Sequence, residues 1–357
     1  MSLCKLKSII LAAVIIAAAA ACKKDDDSSI IYVDGNLKFN LPEFVTPKST
    51  LKMTPSGLTH PEGGEIGYCW KVTPSSMTQY DTTRFWNGLN KKGEASDGSF
   101  TFTFPDTLCT FTVYCIAFSE GYSSSSMSLE VTTVKPGLDG SITESGILPT
   151  DDRKVYVDGV PFYYTTIAGL DWFRQNLWNT GTGVPFRNGE PMDGVFGSYF
   201  SYEDALNACP EGWRLPTDQE WTTMAQAVLG VENADFLHKE IPGIANKLMA
   251  NAYFNGVQLW SYWPEVGRIT NESELSMIPT GYANLGAETT DGKYPYANFK
   301  GDYEYAIFWT ADMAEEGMAY YRYIYGKQPE MMIGKGDTKT FGASVRCVRD
   351  NNGQEPK

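Results

Sequence analysis

Residues 201–229 read SYEDALNACPEGWRLPTDQEWTTMAQAVL, and they describe two short helices around a stiff elbow. Ser201 is placed to cap the first helix, with Asp204 at the third helical position, where a carboxylate meets unpaired backbone N–H groups. That helix stops at Cys209-Pro210, because proline disfavours helical geometry in the residue before it. Glu211-Gly212 turns the chain, and Trp213-Arg214-Leu215-Pro216 leads into the second helix. Thr217 and Glu220 have the spacing of a capping box. Beyond them Trp221, Met224, Ala225, Val228 and Leu229 fall on one apolar stripe, and Gly230 ends it. The stretch reads as a packing corner, with no residue required for catalysis.

Within it, ACPEGWRLPTDQEW resembles the signature of the Fibrobacter succinogenes major paralogous domain, a bacterial extracellular family. Three further segments carry the same resemblance: GLDWFRQNL at 169–177, with Trp172, Asn176 and Leu177 in a W-x-x-x-N-L pattern; FWT at 308–310; and GASVRCVRD at 342–350. Together they span roughly residues 151–350. That family is grouped with C-type-lectin-like and formylglycine-generating-enzyme-like folds. The resemblance therefore implies an α+β, C-type-lectin-like domain with long loops between its central strands, where ligand sites usually lie. It also implies a disulfide between Cys209 and Cys347, since the first helix and last strand are adjacent in lectin-like folds and an exported location permits oxidation. Formylglycine-generating relatives use a cysteine pair for metal-bound oxidation; here only Cys209 stands near Cys347, a departure that argues against that chemistry. Gln328-Pro329-Glu330 approaches the calcium motif of sugar-binding lectins, but no Trp-Asn-Asp follows it before Cys347.

Composition narrows the function further. A 357-residue chain with 42% hydrophobic and 13% aromatic residues suits two well-buried, β-rich domains. A formal charge of −14 argues against nucleic acid and against direct docking on anionic lipid. The two histidines, His60 and His238, fall in different expected domains, which leaves no His-based zinc site, triad or general base within either. No cofactor or metal is expected.

Read in order, residues 1–21 look like an export signal: Lys5 and Lys7 precede an apolar run at 9–21, too short to span a bilayer, which needs about 20 residues. Ala19-Ala20-Ala21-Cys22 resembles a bacterial lipobox, implying lipid attachment at Cys22. Residues 22–30, with Lys23-Lys24 and an acidic run, form a hydrophilic tether similar to the surface-export signal of Bacteroidota lipoproteins. This implies the outer membrane, with the chain facing outward. Residues 31–134 are all-β. Phe100, Phe102 and Phe104 alternate with polar residues, and TVYCIAFSEGYSSSS at 112–126 resembles the penultimate strand and turn of fibronectin III or Ig-like bacterial modules. An Ig-like or fibronectin III-like sandwich is expected there, with Cys69 and Cys115 either bridging its sheets or remaining buried thiols. Residues 135–150 read as a turn-rich linker, and 351–357 as a flexible tail. Asp158-Gly159 signals a hairpin at the start of the C-terminal domain. Tyr321, Tyr323 and Tyr325 alternate with Tyr320, Arg322 and Ile324 in a strand. Gly181-Thr182-Gly183 and Gly334-Lys335-Gly336-Asp337-Thr338 lack full phosphate-loop spacing and read as turns.

Trp260, Trp263, Tyr282 and Trp309 are the candidate ligand contacts. Their rings are suited to stacking on sugars or flat apolar ligands, or alternatively to filling the core of a loop-rich fold. Asp302, Glu304, Glu315 and Glu316 would serve a glycosidase only if two carboxyl groups stood at a defined separation; otherwise they are solvated loop residues. The expectation is a multidomain surface lipoprotein with a binding or adhesion role rather than catalysis, its partner an extracellular glycan or protein. A polysaccharide-active enzyme and a structural subunit of a surface assembly are the alternatives.

Overall fold

The computed structural model describes residues 30–75, 83–87, 97–136, 140–144, 153–286 and 297–351. The export signal, Cys22 and most of the tether lie outside the described residues, as do parts of the expected linker and tail.

Strands between residues 34 and 133 close on one core. A five-stranded sheet runs in the order Phe44–Val45, Ser125–Thr133, Thr110–Phe118, Gly67–Pro74, Thr83–Asn87. Thr50–Met53 pairs with Phe100–Thr103, and Asp34–Lys38 with Ser56–Thr59. Period-2 alternation decides which side chains enter: Phe111, Val113, Cys115 and Ala117 point inward from one strand to meet Trp70, Phe100 and Val131. The expected Phe100, Phe102, Phe104 ladder is present, with successive rings 6.1 and 5.0 Å apart. Cys69 and Cys115 form no bridge. They sit on neighbouring strands of the same sheet, opposite Ile116 and Trp70 respectively, so the premise of an inter-sheet bond fails. Cys69, Cys109 and Cys115 are buried thiols.

In the C-terminal part the elbow forms as its residues dictate. Ser201 accepts from the Asp204 amide ahead of the helix Tyr202–Ala208. Thr217 and Glu220 complete the capping box of Asp218–Leu229, and Gly230 closes it with φ of 66°. Trp221, Met224 and Ala225 are buried against Trp172, Phe308, Ile324 and Val348. Arg214 makes a two-pronged ion pair to Glu220, at 2.7 and 2.5 Å. Burial alone would raise the Glu220 pKa, but Arg214 and the Thr217 amide outweigh it and hold the carboxyl below its ordinary value.

Around the elbow lie a four-stranded antiparallel sheet, a three-stranded meander and smaller sheets. The first holds Lys154–Val157, Val160–Ile167, Leu170–Phe173 and Val348–Asp350 in that order. Asp158 and Gly159, with φ of 47° and 81°, make the hairpin turn between its first two strands. The meander is Tyr305–Glu315, Met318–Tyr325 and Met331–Asp337. Cys209 and Cys347 are bonded, their Cα atoms 5.8 Å apart, which ties the end of the first helix to the segment entering the last strand. That last strand is short: among residues 344–347 only Ser344 forms a bridge, to Phe308, while the Val345 and Cys347 carbonyls accept from the Leu177 and Phe173 amides.

One charged pair lies at the centre. Arg322 and Asp218 are both fully buried, joined at 2.5 and 2.7 Å, with Asp218 also accepting from the His238 amide. The Arg322 side of the alternating strand is therefore the inward side, with Ile324.

Two expectations need correcting. Ile142–Glu144, within the expected linker, is a strand paired with Ala252–Phe254. Residues 334–337 are no turn but lie in the strand Met331–Asp337, because their glycines face aromatic rings. A Cβ on Gly334 would lie 2.4 Å from the Tyr321 ring, and one on Gly336 2.6 Å from Phe341. The N- and C-terminal parts also share a core, in which Phe44 and Val134 meet Phe186, Met192 and Phe196. Arg187 bridges Glu43 to Asp302 across it.

Candidate functional site

The four aromatic candidates do not form one site. Trp260 is 1% exposed and Trp309 0%. Their indole N–H groups donate to the carbonyls of Met277 and Phe200, each at 2.8 Å. Both are core residues and are removed from the ligand-contact set, since a buried indole with its polar atom satisfied has nothing to offer a ligand. Trp263 is 36% exposed, and its neighbour Tyr262, absent from that set, is 72% exposed. Tyr282 is half-buried, with its ring stacked on Phe341 at 5.4 Å.

Tyr282 and Trp263 lie at opposite ends of a continuous aromatic strip. From Phe341 it passes to Tyr321 (4.8 Å), Tyr323 (5.8 Å), Tyr305 (6.3 Å) and Tyr325 (4.7 Å). The Lys327 ammonium then lies 5.6 Å from the Tyr325 ring and 5.0 Å from that of Trp263. The strand alternation places Tyr321, Tyr323 and Tyr325 on the side opposite Arg322 and Ile324, half-buried rather than enclosed. Gly334 allows Tyr321 to lie flat across its neighbouring strand. Burial raises the pKa of Tyr305, Tyr321 (to about 12) and Tyr323, so these phenols stay protonated at neutral pH. The strip thus offers flat apolar faces edged by hydroxyls that both donate and accept.

Beside Trp263 a loop groove of about 790 Å³ is lined by Tyr262, Trp263, Asn251, Gln258, Arg268 and Glu272, among others. Its wall is pinned to the short helix Ala245–Leu248. Thr270 and Ser273 amides donate to the carbonyls of Asn246 and Lys247, and Asn246 Nδ2 to that of Arg268. Val266 and Gly267 amides both reach the Trp263 carbonyl, fixing the turn that carries the ring. A groove formed before a ligand arrives costs less ordering on binding.

Of the acidic candidates, Glu316 is exposed and the other three are engaged in ion pairs. Glu304 pairs with Lys327 at 3.7 Å, Asp302 with Arg187 at 3.3 Å and Glu315 with Lys335 at 3.2 Å. Asp302 lines a different space, a cleft of about 1080 Å³ between the N- and C-terminal parts. Gln328-Pro329-Glu330 follows a turn closed by the Gln328 amide on the Tyr325 carbonyl, and its Pro329 carbonyl accepts from the Ala245 amide. Among the described residues no group of three or more His, Cys, Asp or Glu is placed to hold a metal ion.

Fold and site define a β-rich chain of several sheets with an aromatic face and an adjoining groove. It belongs to the Fibrobacter succinogenes major domain family, whose model matches residues 165–349. A comparison with curated proteins gives no match. Among solved structures the chain is similar to a superoxide reductase (neelaredoxin) from Ignicoccus hospitalis, at 15% identity and a TM-score of 0.22, over 28% of this chain and 80% of that one. A variant of that enzyme gives 14% identity and a TM-score of 0.24, over 28% and 82%. Likeness this slight carries no argument.

Proposed function

We propose that this chain is a surface-exposed outer-membrane lipoprotein, held by lipid at Cys22, that binds an extracellular glycan or protein. In this reading an Ig-like or fibronectin III-like module at 31–134 carries a C-type-lectin-like domain at 151–350. The lipobox and acidic tether support the anchoring. The binding role rests on one observation: the half-exposed strip from Phe341 to Trp263, opening onto a polar groove beside Tyr262. Aromatic faces stack on the C–H faces of sugar rings, and the phenol hydroxyls and groove amides reach the sugar hydroxyls. Among those two ligand classes the alternation of flat rings and small polar groups favours glycan.

A glycan-array screen of the full chain tests the reading. Binding to a defined family of saccharides, competed by the free sugar, is the expected result. No binding to any glycan, with co-purification of a fixed set of membrane proteins, points instead to a structural subunit. Turnover on a polysaccharide panel, lost in Glu304→Gln or Asp302→Asn, would make the chain an enzyme.

A further inference from the structure

Glu144 stands between two spaces, lining both the loop groove and a separate cavity of about 450 Å³. The inner end of that cavity is basic. Arg174 and Arg346 both line it, at 6% and 1% exposure. Arg346 is fixed by neutral acceptors: Nε donates to Asn176 Oδ1 at 2.8 Å, Nη1 to the Phe173 and Leu275 carbonyls at 3.0 and 2.6 Å, and Nη2 to the Ser276 carbonyl at 3.3 Å. Arg174 donates from Nε to the Glu274 carbonyl at 2.6 Å and from Nη2 to Ser276 Oγ at 3.1 Å. Its Nη1 has no hydrogen-bond partner among the described residues. Glu144, the carboxylate facing both cations, lies 3.8 Å from Arg174 Nη2, beyond hydrogen-bond length, and accepts from Ser276 Oγ at 3.1 Å.

Among the described residues lining the cavity, two cations and one carboxylate leave one positive charge in excess. Burial brings the Arg346 pKa down to about 9, with Glu144 opposing and Arg174 adding to the fall, so the Arg346 guanidinium remains charged at neutral pH. A buried charge without a counterion is costly, and an anion that reached it would also satisfy Nη1. Around this basic end the walls are apolar, formed by Val160, Pro161, Trp178, Val195, Phe196 and Ile278. The volume falls within the usual range for small-molecule sites, roughly 300–1,000 Å³.

We propose that this cavity is a binding site for a small organic acid. Its single carboxylate sits on Arg174 Nη1, and its apolar or aromatic body packs against Trp178, Phe196 and Ile278. One negative charge balances the wall. A doubly charged phosphate would leave excess negative charge beside Glu144, and an amine would face two guanidinium groups. The site is separate from the aromatic strip and does not depend on its function.

The test is calorimetric titration of the full chain at pH 7 with phenylacetate and with its uncharged isostere phenylacetamide. Phenylacetate is expected to saturate one site, with the amide at least about tenfold weaker, as the loss of one charge-assisted bond implies. Arg174→Gln should abolish the preference for the acid. Val160→Trp, which fills the cavity while leaving Arg174 in place, should abolish binding of both, with the unfolding midpoint confirming that each variant is folded. Equal affinity for acid and amide, no saturation by phenylacetate below about 10 mM, or a preference that survives in folded Arg174→Gln would each overturn the assignment. None of these outcomes bears on glycan binding at the strip.

Discussion

Replacing Asp218 by Ala would strand a guanidinium in the core. Arg322 is 0% exposed, as is Asp218, and the two share bonds of 2.5 and 2.7 Å. Arg322 keeps its other donors on the Phe236 and Lys239 carbonyls, so the side chain cannot swing out without breaking those bonds as well. Breaking a buried pair from one side costs about 3–5 kcal/mol, against about 0–1 for an exposed pair. Loss of a carboxylate from the first turn of Asp218–Leu229 adds a few tenths more. For a body of roughly 200 residues this lowers the unfolding midpoint by roughly 10 °C. Urea and thermal unfolding of Asp218→Ala measure it. The double variant Asp218→Leu with Arg322→Met removes both charges together and should lose clearly less than the single variant. A single-variant loss below about 1 kcal/mol is the size of an exposed pair. It would show that helix and meander do not meet as described.

Three further outcomes follow from the same packing. Removing the 138-residue cross-link with Cys209→Ser should cost about 5 kcal/mol by chain entropy, seen as a midpoint that falls in the variant and no longer responds to reductant; equal midpoints would contradict it. Gly334→Ala puts a methyl group 2.4 Å from the Tyr321 ring and should cost about 1–3 kcal/mol while shifting tyrosine fluorescence, whereas an unchanged midpoint would mean the ring does not lie there. The Glu220 carboxyl is held below its ordinary pKa in the folded chain, so the unfolded state binds more protons. Its contribution is present above the unfolded value of about 4.3 and is lost as pH falls through the folded value. Glu220→Gln should flatten the stability profile in that acid window, and an unaltered profile would sink the assignment.

The parts of this fold that could be read from sequence are those written in local spacing. The Thr217–Glu220 box, the Asp158-Gly159 turn and the tyrosine alternation at 321–325 each depend on neighbours a few residues apart, and each formed. The disulfide was available only through resemblance, because no local pattern joins Cys209 to Cys347. Failures cluster where one residue type serves two environments. Phe308 and Trp309 are adjacent on a strand covered on both sides, so alternation gave no sign that both are buried. Gly-Lys-Gly at 334–336 carries the composition of a turn, yet its glycines accommodate rings from elsewhere in the chain. Asp218 and Arg322 resemble ordinary surface charges until the fold brings them together across 104 residues. The acid cavity draws on Glu144, Arg174, Ser276 and Arg346, which no sequence window contains together. Tyr262 could have been found from its place in the Ser261–Pro264 neighbourhood, where a turn next to proline commonly exposes its side chains, but exposure itself is not encoded in spacing.

The binding face is tested most directly by comparing the full chain with Trp263→Ala and Tyr325→Ala on the saccharide selected by the array. Loss of either stacking ring should weaken binding about tenfold or more, with unfolding midpoints close to that of the parent chain. Affinities unchanged in both folded variants would place the ligand elsewhere and remove the strip from the account.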